Sequence, residues 1–275
     1  MRTLYFNKIH VFQSVRPGDR KTGEELYDEI IQPLKRKHPR LLGSLHILTD
    51  KRSFFDILEN VVAKEAREEQ VFPILHFDMH GNSHGLELTS GEFVSWADLK
   101  SYFISISILT NINVLAVMSC CYGAYLVDII RPSERCPLFA VIGPSHNITF
   151  QSASNSFPLF YNTFFDTRSG NEAVRALNAE NNGEYSYYNA EFLFIKGCNR
   201  YYTDLADENR LQKRIDNIMK EAKIPLDDSK KRQELKDKIL DYRPFFERFR
   251  TYFFMIDLYP ENEKRFPITF EDIIK

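Results

Sequence analysis

The sequence has 275 residues, with 36 Lys+Arg against 38 Asp+Glu, 7 His and 4 Cys; 43% of it is apolar and 27% charged. That length can bury a substantial core as one large domain, or as one domain with an extension, without staples. A formal charge of −2 excludes a dominant basic field of the kind that binds nucleic acid.

Four cysteines, two of them adjacent (Cys120 and Cys121), do not make a disulfide framework and point to a reducing, cytoplasmic compartment. The opening MRTLYFNKIHVF has no basic stretch followed by an apolar run and a small-residue cleavage site, so no secretory signal is expected. Residues 101–127 carry no charge and are long enough to span a bilayer. Ser105, Ser107, Thr110, Asn111 and Asn113 interrupt them, so a buried helix followed by a buried strand is expected there, with no membrane insertion.

Charge is unevenly spread. Residues 201–275 hold 16 acidic and 16 basic side chains, whereas residues 71–160 hold only nine charges in all. A buried central slab and a solvated tail are implied, with a boundary near residue 200.

In chain order, Lys8–Val15 reads as a strand ended by the Pro17-Gly18 turn. Residues 22–37 read as a helix with Thr22 as N-cap and Leu26, Ile30, Ile31 and Leu34 on its apolar face. Ser44–Thr49 is a second strand, 52–67 a second helix, and Val71–Asp78 a third strand, apolar enough to be covered on both faces. A hairpin follows, Leu86–Thr89 and Phe93–Trp96 joined through Ser90-Gly91.

Then come a helix over 97–109, a buried strand at Asn113–Ser119, a helix over 122–130 and a fifth strand at Leu138–Gly143. Helices are expected over 154–166 and 171–179, and a sixth strand at Ala190–Ile195. This alternation predicts an α/β fold with a largely parallel sheet and right-handed crossovers. The tail, 205–275, reads as polar helices with a break at 224–229, and its aromatic stretch YFFMIDLYPENEKRF is expected to pack back on the main body.

Ligands and catalytic groups collect at the carboxyl ends of strands in such sheets. The third strand runs into HFDMHG, putting His80 and Gly81 at its mouth, and the fourth into VMSCCYG, putting Cys120 and Cys121 at its mouth. An imidazole and a thiol on one sheet edge suit nucleophilic catalysis by a thiolate. A free thiol, with a pKa of about 8.5, needs a nearby base or positive group at neutral pH. Histidine can take that proton and hand it to a leaving amine. Gly81 lets backbone approach the substrate closely, where its amide could serve an oxyanion, and Gly123 permits a tight junction into a helix whose N-terminus favours a thiolate.

An apolar strand ending in His-Gly, followed by one ending in a small residue, Cys, two residues and Gly, resembles the caspase-like cysteine peptidases, nearest to the bacterial group with CHAT-type peptidase domains. The resembling segments are PILHFDMHGNSHGLELTSGEFVSWADL, NVLAVMSCCYGAYL and LFAVIGP, with the likeness extending over 5–195. It implies a three-layer α/β sandwich with a mostly parallel six-stranded sheet over residues 1–200, and a helical extension over 201–275 packed on it.

By the same resemblance His80 is the catalytic histidine, Gly81 the oxyanion glycine and Cys120 the nucleophile, Ser119 and Gly123 matching the small residue before it and the glycine three after it. A one-residue shift makes Cys121 the nucleophile instead. Met118-Ser119-Cys120 stands where caspases carry Gln-Ala-Cys, so aspartate specificity does not follow. The implied activity is a cofactor-free cysteine endopeptidase acting on protein or peptide substrates in a bacterial defence or cell-death pathway, a bacterial gasdermin being one such partner.

Two competing readings follow from the same residues. An inactive caspase-like fold would serve as an interaction module. Alternatively, His76, Asp78, His80 and His84 are spaced closely enough for zinc, the first three sharing a strand face, though that leaves the cysteines unexplained. In the peptidase reading His76 and Asp78 orient the site, His84 begins the hairpin, and Cys136 and Cys198 are structural or incidental thiols.

Overall fold

Strands whose every residue is buried need cover on both faces, and four segments of this chain meet that description or nearly so. The computed structural model describes residues 5–179 and 184–273. In it β1 (Lys8–Ser14), β6 (Leu115–Ser119) and β7 (Ala140–Pro144) are buried throughout, and β3 (Pro73–Asn82) is buried from Pro73 to Met79. With β2 (Leu42–Ile47) and β8 (Tyr185–Asn189) they form a sheet in the order β2-β1-β3-β6-β7-β8. All neighbours are parallel except β7 and β8.

The sheet is mixed, mostly parallel and eight-stranded, not six-stranded. β3 runs past its parallel neighbours and pairs antiparallel with β4 (Gly85–Glu87), which pairs with β5 (Phe93–Ser95). The hairpin read from the sequence is therefore part of the sheet, and Gly91 supplies the positive φ of +84° that its turn requires.

One face is covered by α1 (residues 22–37), α4 (Phe150–Thr167) and α5 (Gly170–Leu177), whose Leu26, Ile31, Leu34, Phe157, Phe160 and Leu177 pack with Ile9, Val11, Ile74 and Val117 of the strands. The other is covered by α2 (residues 51–68) and α3 (Trp96–Leu109), where Phe54 and Phe103 meet Phe12 and Phe77 of the strands. α2 and α3 start from capping boxes, Asp50 with Ser53 and Ser95 with Asp98.

Three expectations need correction. Thr22 does not cap α1; its hydroxyl donates to Asp78 Oδ1 at 2.6 Å, and the helix start is held from the sheet by Gly23 N to Asp78 Oδ2 (2.6 Å) and Glu24 N to Gln13 Oε1 (2.8 Å). The last strand is β8, not 190–195, because α6 (Ala190–Ala206) begins there. Phe194 and Cys198 are fully buried while Phe192 is 48% exposed, a period of four; on a strand Phe192 and Phe194 would share a face. The expected helix over 122–130 is a 3-10 segment, Gly123–Ile129.

The chain divides into two compact units. The first runs to Ile130 and resumes from Cys136 to Ala190; the second comprises Arg131–Arg135 and the chain from Glu191 onward. The second holds α7 (Glu208–Glu221), α8 (Ser229–Leu240) and α9 (Arg243–Phe253), with the expected break after α7. Its aromatic stretch builds a core inside this unit: Phe253 and Phe254 ring-pack with Phe194, and Phe254 stacks on Phe266 at 4.5 Å. Among the described residues no helix is long and apolar enough to cross a membrane.

Candidate active site

β1 lies between β2 and β3, so the chain leaves β1 through α1 on one face and returns to β3 through α2 on the other. The carboxyl ends of β1 and β3 thus form the switch point where ligands gather in open α/β sheets. Parallel pairing of β3 ends at Met79 against β1 and at Asp78 against β6, so His80 is the first residue beyond it. Its side chain is 30% exposed.

The loop after β1 brings a residue that the sequence reading missed. Asp19 Oδ2 lies 2.7 Å from His80 Nε2 and also accepts the Arg16 amide at 3.1 Å. The hydrogen bond from His80, helped by that amide, holds the Asp19 carboxyl below its ordinary range. Asp19 follows Pro17-Gly18, which reads only as a turn; pairing β1 with β3 in the strand order is what aims it at the histidine.

The two cysteines at the mouth of β6 differ sharply. Cys120 is 2% exposed, and burial pushes its thiol well above the usual range, with Cys121 and Asp78 adding to the effect. Cys121 is half-buried; its sulfur lies 3.4 Å from the Ile148 amide, which donates to it, and 3.6 Å from the Ile148 carbonyl. A tight turn separates them from the 3-10 segment: Gly123 N donates to Cys120 O at 3.2 Å, and Tyr122 takes a positive φ of 59°. At Gly123 a Cβ would fall 2.3 Å from Met118 Cβ and 3.0 Å from the Cys120 sulfur, so only glycine fits.

Residue 148–150 backbone and side chains gather the reactive groups. Ile148 holds the Cys121 sulfur, and two residues on the Phe150 ring meets the His80 imidazole edge-on at 5.8 Å. Ser119 Oγ donates to Asp78 Oδ1 at 3.1 Å, tying the positions two before Cys121 and two before His80. Gly81 closes the same mouth: a Cβ there would lie 2.9 Å from Cys121 O and 3.3 Å from Cys120 Cβ. Those contacts put the His-Gly and Cys-Cys turns in direct apposition.

The four clustered metal-ligand candidates are dispersed among other duties. His76 Nδ1 lies 3.1 Å from Tyr161 OH in the core, and burial brings its imidazole down to about 3, keeping it neutral. Asp78 is taken by Thr22, Gly23 and Ser119, and His80 by Asp19. His84 sits in the turn into β4, its amide donating to Asn82 Oδ1 at 2.8 Å. Among the described residues no group of three or more His, Cys, Asp or Glu could hold a metal ion.

A cleft between α1 and α4 is lined by Arg20, Thr22, Glu25, His76, Asp78 and Ser119 among others, and by neither His80 nor Cys121. Arg20 spans its mouth, its Nε within 3.0 Å of both Glu25 carboxylate oxygens and its Nη1 3.3 Å from Gln151 Oε1. Compared with known proteins, the chain matches no family model and no curated sequence.

Proposed function

We propose that the protein is a cysteine endopeptidase in which Cys121 is the nucleophile, His80 the general base and acid, and Asp19 the residue that positions the imidazole. The observation that carries this reading is the convergence of a half-buried thiol and an Asp-paired histidine on the 148–150 segment at a sheet switch point. Cys120, the nucleophile by motif fit, is enclosed and its thiol is disfavoured as a thiolate. In this reading it fills the small-residue slot, beneath Gly123.

With Nε2–H donating to Asp19, Nδ1 is left to take the Cys121 proton. The thiolate attacks the scissile carbonyl carbon, and the C–N bond breaks as His80 returns that proton to the leaving amine. Water, deprotonated by the same imidazole, then hydrolyses the acyl-enzyme. The amides of Gly81 and Cys121 are the proposed oxyanion donors; losing one such donor costs about 10²–10³ in turnover. No metal or organic cofactor takes part. By resemblance the substrate is a protein in a bacterial defence or cell-death pathway, a gasdermin among them.

Labelling with a thiol-directed peptide electrophile tests the assignment. Cys121→Ala abolishes labelling and proteolysis, while Cys120→Ala retains both. If Cys121→Ala still labels and cleaves, the nucleophile is misassigned. If the unaltered protein does neither, a non-catalytic interaction module is the correct reading.

A further inference from the structure

We propose that β2 is an association edge, at which two copies of this chain pair antiparallel around a two-fold axis at Leu45 and so join their sheets. The pairing is independent of the chemistry at the candidate active site.

β2 is an outer strand of the sheet and pairs only with β1. In a parallel ladder alternate residues turn both backbone groups towards the neighbour. The Leu42 amide donates to Asn7 O and the Leu48 amide to Gln13 O, so the even-numbered residues face β1 and Gly43, Leu45 and Ile47 face outward. Tyr27 OH donates to Gly43 O at 3.1 Å; among the described residues the other outward amides and carbonyls have no partner. Edge strands are ordinarily guarded by charge, proline or a bulge. LGSLHI carries no charged residue and no proline, and its register with β1 is unbroken. Leu42 and Ile47 are 43% and 58% exposed.

The occupant that fits this edge is the same strand of a second copy. With the axis at Leu45, the two Leu45 residues exchange amide and carbonyl bonds, and Gly43 and Ile47 exchange theirs with the partner's Ile47 and Gly43. Gly43 O keeps a second lone pair for this beside the Tyr27 hydroxyl. Residues directly opposite share a face, so Leu45 meets its own copy and the partner's Ile47 lands over Gly43. The Tyr27 ring borders that place, 3.4 Å from where a Cβ on Gly43 would sit, and offers the isoleucine an apolar wall. Charge agrees with the same register. Arg40 and Asp50 stand equally far before and after Leu45, so each Arg40 is brought towards the partner's Asp50. Asp50 is bonded only to the neutral Thr49 and Ser53, and among the described residues Arg40 has no carboxylate.

Sedimentation of the full chain across a range of concentrations, with amide hydrogen exchange read residue by residue, tests this. A reversible dimer with a Kd about micromolar is expected, the range of small interfaces. As it forms, the Gly43, Leu45 and Ile47 amides should slow about tenfold in exchange, whereas those of Leu42, Ser44 and His46, already turned to β1, should change little. Ile47→Lys, at an exposed position, should raise the Kd about tenfold by placing a charge between the strands. Arg40→Glu, outside the strand, is the second variant and should weaken the dimer about threefold at low salt and hardly at all at high salt. A chain that stays monomeric throughout overturns the proposal. So does a dimer in which the Gly43, Leu45 and Ile47 amides exchange freely, or one whose Kd neither substitution moves while the circular dichroism stays native.

Discussion

Asp19 holds the site together at the scale of single residues, because it meets His80 at 2.7 Å from a loop of another strand. It fixes which imidazole nitrogen carries the proton and the direction in which the ring faces. Asp19→Asn keeps the shape but can present an amide donor to Nε2, which favours the wrong tautomer. A fall of about 10²-fold in kcat with little change in KM is expected, read in steady-state kinetics on a good peptide. A comparable rise in KM with kcat unchanged would mean that Asp19 binds substrate rather than orients the histidine. Nothing in Pro17-Gly18-Asp19 marks this residue beforehand; its role is written in strand order, which a linear pattern does not contain.

Among the elements, a buried polar knot ties β1, β2 and α2. His10 is fully buried with Nδ1 3.1 Å from His46 Nε2, and its Nε2 lies 3.3 Å from Glu65, which Lys8 also meets at 2.6 Å. Burial lowers His10, and burial with the charges of His10 and Lys8 brings His46 down to about 4. For Glu65 burial acts upward, but His10 and Lys8 overcome it and hold the carboxyl at about 2.

The signs agree. An imidazole depressed in the fold takes up its proton only on unfolding, so stability falls as pH drops from 6.5 towards 4 for His46. Glu65 adds a further loss as pH falls from 4.5 towards 2. Urea unfolding followed by the fluorescence of Trp96, the single tryptophan, should therefore show a midpoint decreasing between pH 6.5 and 4. His46→Gln should flatten that decrease; an unchanged slope would assign it to other groups.

The same scale shows what a linear reading can and cannot reach. β1, β3, β6, α1 and α3 were legible because apolar runs and the spacing of apolar residues are local signals, whereas the cap read at Thr22 failed because Asp78 of a distant strand takes its hydroxyl. β8 was not: YSYYN is half polar, and it qualifies as a strand only because β7 offers it an edge. The apolar letters of FLFI drew the strand to 190–195, although their spacing continues helically to Cys198. His80, Gly81 and the Cys-Cys turn were visible as strand mouths, whereas the difference in exposure between Cys120, buried, and Cys121, half-buried, has no local mark in the sequence.

For the molecule as a whole, the two units are interleaved in sequence, since Arg131–Arg135 belongs with the carboxyl-terminal unit. Within that unit Arg135 lies over the Tyr252 ring at 3.9 Å and makes a two-pronged pair with Asp257. Arg135→Ala is expected to destabilise by about 1–2 kcal/mol, reflecting a forked, charge-assisted pair with part of it exposed, measurable as a lowered thermal midpoint. An unchanged midpoint would make the pair a surface contact only.

His80, Cys121 and Asp19 hang from the ends of three different strands, and none of them is a core side chain; His80 and Asp19 are about a third and a quarter exposed. A lineage could therefore lose any one of them by a single substitution while the sheet and its helices persisted. Under the proposed peptidase reading, such descendants would keep the sheet, its helices and the cleft and would have given up only the cut. Enzymes and non-cutting binders on this scaffold would then differ at three loop positions rather than in architecture, so inheritance of the fold alone is a poor guide to which kind a given relative is.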